Sequence, residues 1–198
     1  MIRAVVFDLG QVLASPPDIH SHPAGLLGVA TDDFAAGYWE GRRDYDEGAA
    51  DDAYWGPMLV RLGLPASAEN VALLATTDAT IWTRIRPSAE QLLADTKASG
   101  RLTGLLSNAP RVLGEAIEAA PWRRHFDRVY VSALIGAAKP RQEIYRHAAA
   151  DLGVAPAEIA FIDDRPENVD GALAAGWQAH LWVDDDDTRA WLAGFGVL

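Results

Sequence analysis

Cysteine is absent from the 198 residues, which excludes disulfides, thiolate metal sites and a cysteine nucleophile. Basic residues are in deficit: 17 Lys and Arg stand against 28 Asp and Glu, a net charge of −11. A surface of that sign repels phosphate backbones and anionic lipid, so nucleic acid is not an expected partner. A small anionic substrate remains compatible, because a metal and a few local cations can reverse the field inside a pocket. No apolar run approaches membrane-spanning length, and the amino terminus carries no basic stretch followed by a signal-type apolar core. The expectation is therefore no membrane partner and a cytoplasmic location. Internal repeats and low-complexity tracts are also missing, apart from the run Asp184 to Asp187.

The chain is long enough for one full core and a modest insertion. It opens with Ala4-Val5-Val6-Phe7, a run without alternation that reads as a parallel strand buried on both faces. A Pro-, Ser- and His-rich loop follows, and from about Thr31 to about Arg86 apolar residues recur at helical spacing with no strand-like segment. Asp or Ser near several of these helix starts is expected to cap them. Beyond Pro87, helix and strand alternate: "RLTGLLSN", "DRVYVS", "EIAFIDD" and "QAHLWV" read as strands, each between helical segments. With the opening strand this makes an α/β fold, a Rossmann-like doubly wound parallel sheet with an inserted helical cap. The expected boundaries are residues 1–14 and 87–198 for the core and 15–86 for the cap.

Ligands of such sheets bind beyond the carboxyl ends of the strands, where the strand order reverses. The strand ends here carry Asp8, Ser107-Asn108 and Asp163-Asp164. Three acids in one crevice repel unless a cation lies among them, and all-oxygen donors suit Mg²⁺ with places left for water and phosphate. Ser107 and Asn108 offer a hydroxyl and an amide before a helix start, and Lys139 offers a point charge for phosphate. Taken singly, Asp8 reads as a turn cap, Ser107-Asn108 as a helix cap and Lys139 as a surface cation. Their occurrence in order at successive strand ends favours a common site.

In that order, "VVFDLGQVL", "GLLSN", "AAKP" and "FIDDRPENVDGA" resemble the four motifs of the haloacid dehalogenase-like superfamily, mostly Mg²⁺-dependent phosphatases that work through an aspartyl-phosphate. The resemblance implies Asp8 as nucleophile and metal ligand, and Gly10 as a metal ligand through its carbonyl. It implies Asp164 as a direct metal ligand, Asp163 as one acting through water, and Ser107, Asn108 and Lys139 as holders of the phosphoryl group. The implied partner is a small phosphorylated metabolite.

Typical phosphatases of the superfamily carry a second Asp two residues after the nucleophile, to protonate the leaving oxygen and then activate water. Here that place is Gly10. General acid–base help is worth about 10² to 10⁴ in rate. Its absence implies a substrate whose leaving group departs unprotonated, a substitute acid, or a poor catalyst. "FDLG" is similar to a branch resembling α-glucose-1-phosphate phosphatase, which makes a sugar 1-phosphate the leading substrate. Two alternatives stand: a metal-independent 2-haloacid dehalogenase, and a non-catalytic phosphometabolite-binding or regulatory module. Dehalogenases generally lack the paired acids that "FIDD" retains.

Other features carry less. Arg42, Arg43 and Tyr45 read either as cap residues touching substrate or as a polar turn, with Trp39 and Trp55 as core anchors. His20 and His22 lack a third zinc ligand at sensible spacing. Asp184 to Asp187 favour a helix amino terminus. Asn168, one helical turn beyond Asp164, reads as a second-layer support for the metal acids or as a cap. The pattern leaves both monomer and homodimer open.

Overall fold

The computed structural model describes all residues, 1–198. Five strands form one wholly parallel sheet: β1 (Ala4–Phe7), β2 (Leu102–Ser107), β3 (Arg128–Val131), β4 (Ile159–Asp163) and β5 (Gln178–Leu181), in the order β3-β2-β1-β4-β5. β1 is the first strand and lies in the centre, so the order reverses between it and β4. Every residue of β1 is fully buried, with Val5 and Phe7 in the apolar layer on one face and Ala4 and Val6 in the layer on the other. Burial on both faces is why the segment shows no polar alternation.

Between β1 and β2 run α1 (Ser21–Leu27), α2 (Thr31–Tyr38), α3 (Arg42–Asp46), α4 (Asp51–Arg61), α5 (Ala68–Trp82) and α6 (Pro87–Ala98). The first five enclose an apolar cluster of their own, centred on Phe34, Tyr38, Tyr45, Tyr54 and Trp55. α5 ends in the core, where Ala79 and Trp82 join the layer against the sheet. The expected side-chain caps are fewer than the acids promised. Ser67 caps α5 by accepting from the Asn70 N–H at 3.2 Å. α2 and α4 follow Ala30 and Ala50, and their acids lie within the first turn, where they act on the helix dipole instead.

The remaining helices flank the sheet: α7 (Arg111–Ala119), α8 (Ser132–Ile135), α9 (Gln142–Leu152), α10 (Pro166–Ala174) and α11 (Asp185–Ala193). The one-turn α8 is not foreshadowed by periodicity. Asp184 caps α11 by accepting from the Asp187 N–H at 2.8 Å. No helix is long and apolar enough to cross a membrane.

Candidate active site

The β1–β4 ladder runs one step past β1, with the Asp8 N–H donating to the Ile162 carbonyl at 2.9 Å. Asp8 therefore stands beside Asp163, the last residue of β4, and Ser107 ends β2 on its other side. Carboxylate oxygens of Asp8, Asp163 and Asp164 lie within 4.8 Å of one another. Main-chain pairing thus gathers three acids that the sequence holds far apart.

Lys139 lies between two of them. Its Nζ donates to Asp8 Oδ1 at 2.7 Å and to Asp163 Oδ2 at 2.6 Å, and its side chain is buried. Burial works against that charge, but Asp163 and Asp8 more than offset it and hold the ammonium above its ordinary pKa. Asp8 moves the other way from an ordinary ion-paired acid. Burial pushes its carboxyl up to about 7, with Lys139 opposing and Asp163 and Asp164 adding repulsion. Asp164 is raised as well, by burial and then by Asp163.

The acids differ in what they leave free. Asp163 is fully buried, its Oδ1 accepting from the Arg165 N–H and from Asn168 Nδ2, both at 2.9 Å, and its Oδ2 accepting from Lys139. Its carboxylate is a hub that positions neighbours. Asn168 supports Asp163 rather than Asp164. Asp8 Oδ2 and the Asp164 carboxylate accept from no other residue and are open for a ligand. With all three acids ionised the cluster carries two negative charges beyond Lys139, which a divalent cation would neutralise. The all-oxygen donor set fits Mg²⁺.

Asn108 has a partner that the sequence did not foretell. Its Nδ2 donates to the Lys139 carbonyl at 2.9 Å and its Oδ1 accepts from the Lys139 N–H at 2.8 Å. The amide clamps the lysine's main chain, and Asn108 lines the same cavity as Ser107. The Ser107 hydroxyl has no partner in the protein and lines the cavity above Asp8. The Gly10 carbonyl accepts from the Val12 N–H at 2.7 Å, which occupies one lone pair and leaves the second.

That cavity measures about 860 Å³ and lies between core and cap. Asp8, Ser107, Lys139 and Asp164 form its floor, and the cap contributes Trp39, Arg42, Arg43, Asp46 and Glu47. Trp39 is not a core anchor as expected: it is 55% exposed, packed edge-on against Tyr38 and under the Arg42 guanidinium. Trp55 is fully buried as expected. Arg42 is no polar surface turn either. It is buried, with Nε on Asp46 Oδ1 at 2.8 Å and Nη1 on Asp78 Oδ2 at 3.1 Å and on the Tyr38 hydroxyl at 3.0 Å. Trp82 Nε1 also donates to that hydroxyl, at 2.9 Å. Sequence reasoning missed Asp46, Asp78 and Trp82. The one available signal was an acid inside the apolar stretch "LLATTDATIW".

Tyr45 faces inward, stacked on Tyr54, and does not line the cavity; Arg43 is exposed at its rim, paired with Glu47. His20 is packed edge-on to Tyr38, and neither it nor His22 belongs to a metal-binding cluster.

The profile of the haloacid dehalogenase-like hydrolases matches residues 2–176. The chain belongs to that family. It is a hydrolase by that membership, and the fold expected from the motifs is the fold observed. Among characterised relatives, the sesquiterpene phosphatase astK of Aspergillus oryzae is 29% identical over 88% of this chain and 86% of its own length. A phosphoserine phosphatase of Thermus thermophilus is 38% identical over 50% of this chain, which spans 40% of that protein. Of solved structures, the L-2-haloacid dehalogenase of Xanthobacter autotrophicus superposes with a TM-score of 0.75 at 22% identity, covering 98% of this chain and 84% of that one. A haloacid dehalogenase-like enzyme of Bacteroides thetaiotaomicron, solved with magnesium and inorganic phosphate, superposes with a TM-score of 0.69 at 18% identity, covering 91% and 94%. At these identities the superpositions speak for the fold alone.

Proposed function

We propose that the protein is a Mg²⁺-dependent phosphatase that hydrolyses a small polar phosphate ester through an aspartyl-phosphate on Asp8. The observation that carries this reading is the cluster at the switch point: an Asp8 oxygen free of hydrogen bonds, beside an Asp164 carboxylate that accepts from no other residue, on the floor of a cavity that also holds Lys139 and Ser107.

Asp8 has one oxygen tied to Lys139 and one unencumbered, so the carboxylate is oriented and its second oxygen is available to attack phosphorus. Attack divides one hard hydrolysis into transfer to Asp8 and hydrolysis of an acyl phosphate. Lys139, shared between Asp8 and Asp163, and the Ser107 hydroxyl are the donors for the phosphoryl oxygens on which charge accumulates. Asp8, Asp164 and the Gly10 carbonyl are the groups that would hold Mg²⁺, with Asp163 supporting them from behind. When bound, the ion supplies charge neutralisation on the phosphoryl group.

The cavity wall narrows the substrate. Arg42, Arg43, Asp46, Glu47 and Arg141 give it charged groups of both signs, which a prenyl chain would have to desolvate at a cost. A hydroxyl-rich body such as a sugar 1-phosphate keeps those groups hydrogen-bonded, and Trp39 offers a face for its apolar side. The dehalogenase alternative is disfavoured because it has no use for an unpaired Asp164 beside the nucleophile.

The deciding experiment exposes purified protein to a panel of sugar phosphates, other phosphate esters and 2-haloacids, with Mg²⁺ or with chelator, beside Asp8→Asn. Phosphate release that needs both Mg²⁺ and Asp8 is the expected result. Halide release indifferent to chelator, or tight ligand binding with no turnover of any compound, would replace this reading with one of the two alternatives.

A further inference from the structure

The place of the missing acid at Gly10 is not filled from β1, but the cap delivers a carboxyl group to the same cavity. Five acids line it: Asp8, Asp46, Glu47, Asp164 and Glu167. Asp8 and Asp164 belong to the cluster already described. Glu47 is held between Arg43 at 3.2 Å and Arg141 at 3.0 Å, and Glu167 is paired with Arg165 at the exposed rim. Asp46 alone is both largely buried and short of partners. Its Oδ1 accepts from Arg42 Nε, and its Oδ2 has no hydrogen bond in the protein.

Charge counting shows why this carboxyl can hold a proton. The single Arg42 guanidinium serves two buried acids, Asp46 and Asp78, and Asp78 also accepts from the Tyr38 hydroxyl. One negative charge is left over in a low-dielectric setting, and the acid with fewer donors is the one that takes up a proton. Burial pushes the Asp46 carboxyl up to about 6, against the pull of Arg42, with Asp78 raising it further and Lys139 lowering it.

Asp46 is also fixed relative to the phosphate-binding floor. Its carbonyl accepts from the Ser132 hydroxyl, and Ser132 Oγ in turn accepts from the Ala109 N–H at 2.9 Å, one residue after Asn108. The Glu47–Arg141 ion pair fastens the next residue to the loop after Lys139. Cap and core are therefore joined at the main chain of this residue, which fixes its place in the wall of the cavity that Asp8 also lines.

We propose that Asp46 is the proton donor to the leaving oxygen and, once ionised, the base for the attacking water. This rests on the phosphatase reading. In the first half-reaction the Asp8–phosphorus bond forms as the phosphorus–leaving-oxygen bond breaks, and that oxygen takes the Asp46 proton. In the second, water forms a bond to phosphorus and gives a proton to Asp46. The Asp8–phosphorus bond then breaks with its electron pair returning to Asp8. The sum is ester plus water to alcohol plus phosphate, with both acids restored.

The test compares wild type with Asp46→Asn, which keeps an oxygen for Arg42, in Mg²⁺, on alkyl or sugar phosphates and on 4-nitrophenyl phosphate. Loss of the acid should slow the alkyl and sugar esters by about 10² to 10⁴. Nitrophenolate leaves without a proton, so the variant should release a rapid stoichiometric burst of it and then turn over slowly, phospho-Asp8 accumulating. Gly10→Asp added to Asp46→Asn should restore the alkyl esters. The pH profile of the wild type gives a second readout that needs no variant. The ratio of alkyl-ester phosphorylation to the nitrophenolate burst should fall about tenfold per pH unit above about 6. Ionisation of Asp8 would tilt both profiles upward. An Asp46→Asn enzyme as fast as wild type on alkyl esters, or equally slowed in every phase for every leaving group, overturns the proposal. Wild type that hydrolyses no ester and takes no phosphate on Asp8 from acetyl phosphate overturns the phosphatase reading itself, and the proton-transfer role with it.

Discussion

Replacing Lys139 with methionine removes the one cation that the structure places among three acids. Methionine approximates the lysine stem, so the perturbation is mainly electrostatic. Asp8 and Asp163 would then be buried without their shared donor, and removing one partner of a buried ion pair typically costs about 3–5 kcal/mol. In a chain of this size each kcal/mol moves the unfolding midpoint by about 2–4 °C, so metal-free Lys139→Met should melt about 6–20 °C below wild type at pH 8. The deficit should shrink as pH is lowered. The Asp8 pKa in the folded state lies above its unfolded value of 3.8. Between those values the folded protein holds a proton that the unfolded chain has released, so stability falls as pH rises through the window and recovers as pH falls. Without Lys139, which lowers the Asp8 pKa, this dependence should steepen. Adding Asp163→Asn to Lys139→Met should recover part of the loss, because one of the stranded charges is gone. The assay is thermal unfolding of the three proteins in chelator from pH 5 to 8. A midpoint unchanged by Lys139→Met at pH 8, or one lowered equally at pH 5 and pH 8, would refute this electrostatic account of the site.

Mg²⁺ requires the acids ionised, so it should stabilise the wild type more at pH 8 than at pH 5, the gain at pH 8 being about 2.7 kcal/mol at a concentration a hundred times its Kd there, read as a rise in melting temperature; an equal effect in Asp8→Asn/Asp164→Asn would show that the ion binds elsewhere. Gly171 in α10 supports the lysine loop closely: a Cβ there would meet the Pro140 carbonyl and the Tyr145 hydroxyl at 2.9 Å. Gly171→Ala should therefore cost about 1–3 kcal/mol by overpacking and reduce kcat by displacing Lys139, measured by denaturant unfolding and steady-state kinetics. Trp39→Ala removes an exposed cavity wall, so KM should rise several-fold while the melting temperature stays within about 2 °C, and a large loss of stability would return Trp39 to the core.

The fold was legible because its signals are local. Ala4 to Phe7 is apolar without alternation, the later helices and strands alternate, and glycines such as Gly153 end helices in the left-handed region. The floor of the site was legible for a related reason. In a parallel sheet the carboxyl ends face one edge, so Asp8, Ser107 and Asp163 had to meet once β1, β2 and β4 were adjacent. The roles of Asn108 and Trp39 were not legible, because each depends on a neighbour distant in sequence: the Lys139 main chain in one case, Tyr38 and Arg42 at the cap surface in the other.

What the chain by itself determined is the five strands, the longer helices, their parallel arrangement and the chemistry stationed at the strand ends, since periodicity and strand-end position are properties of neighbours in sequence. Tertiary structure alone decided that Lys139 is shared between Asp8 and Asp163, that Arg42 must serve two acids, and that Asp46 of the cap shares a cavity with Asp8. Those outcomes depend on burial and on distances across the cap–core junction, and the strength of a charge in a protein is set by exactly such surroundings rather than by the residue that carries it.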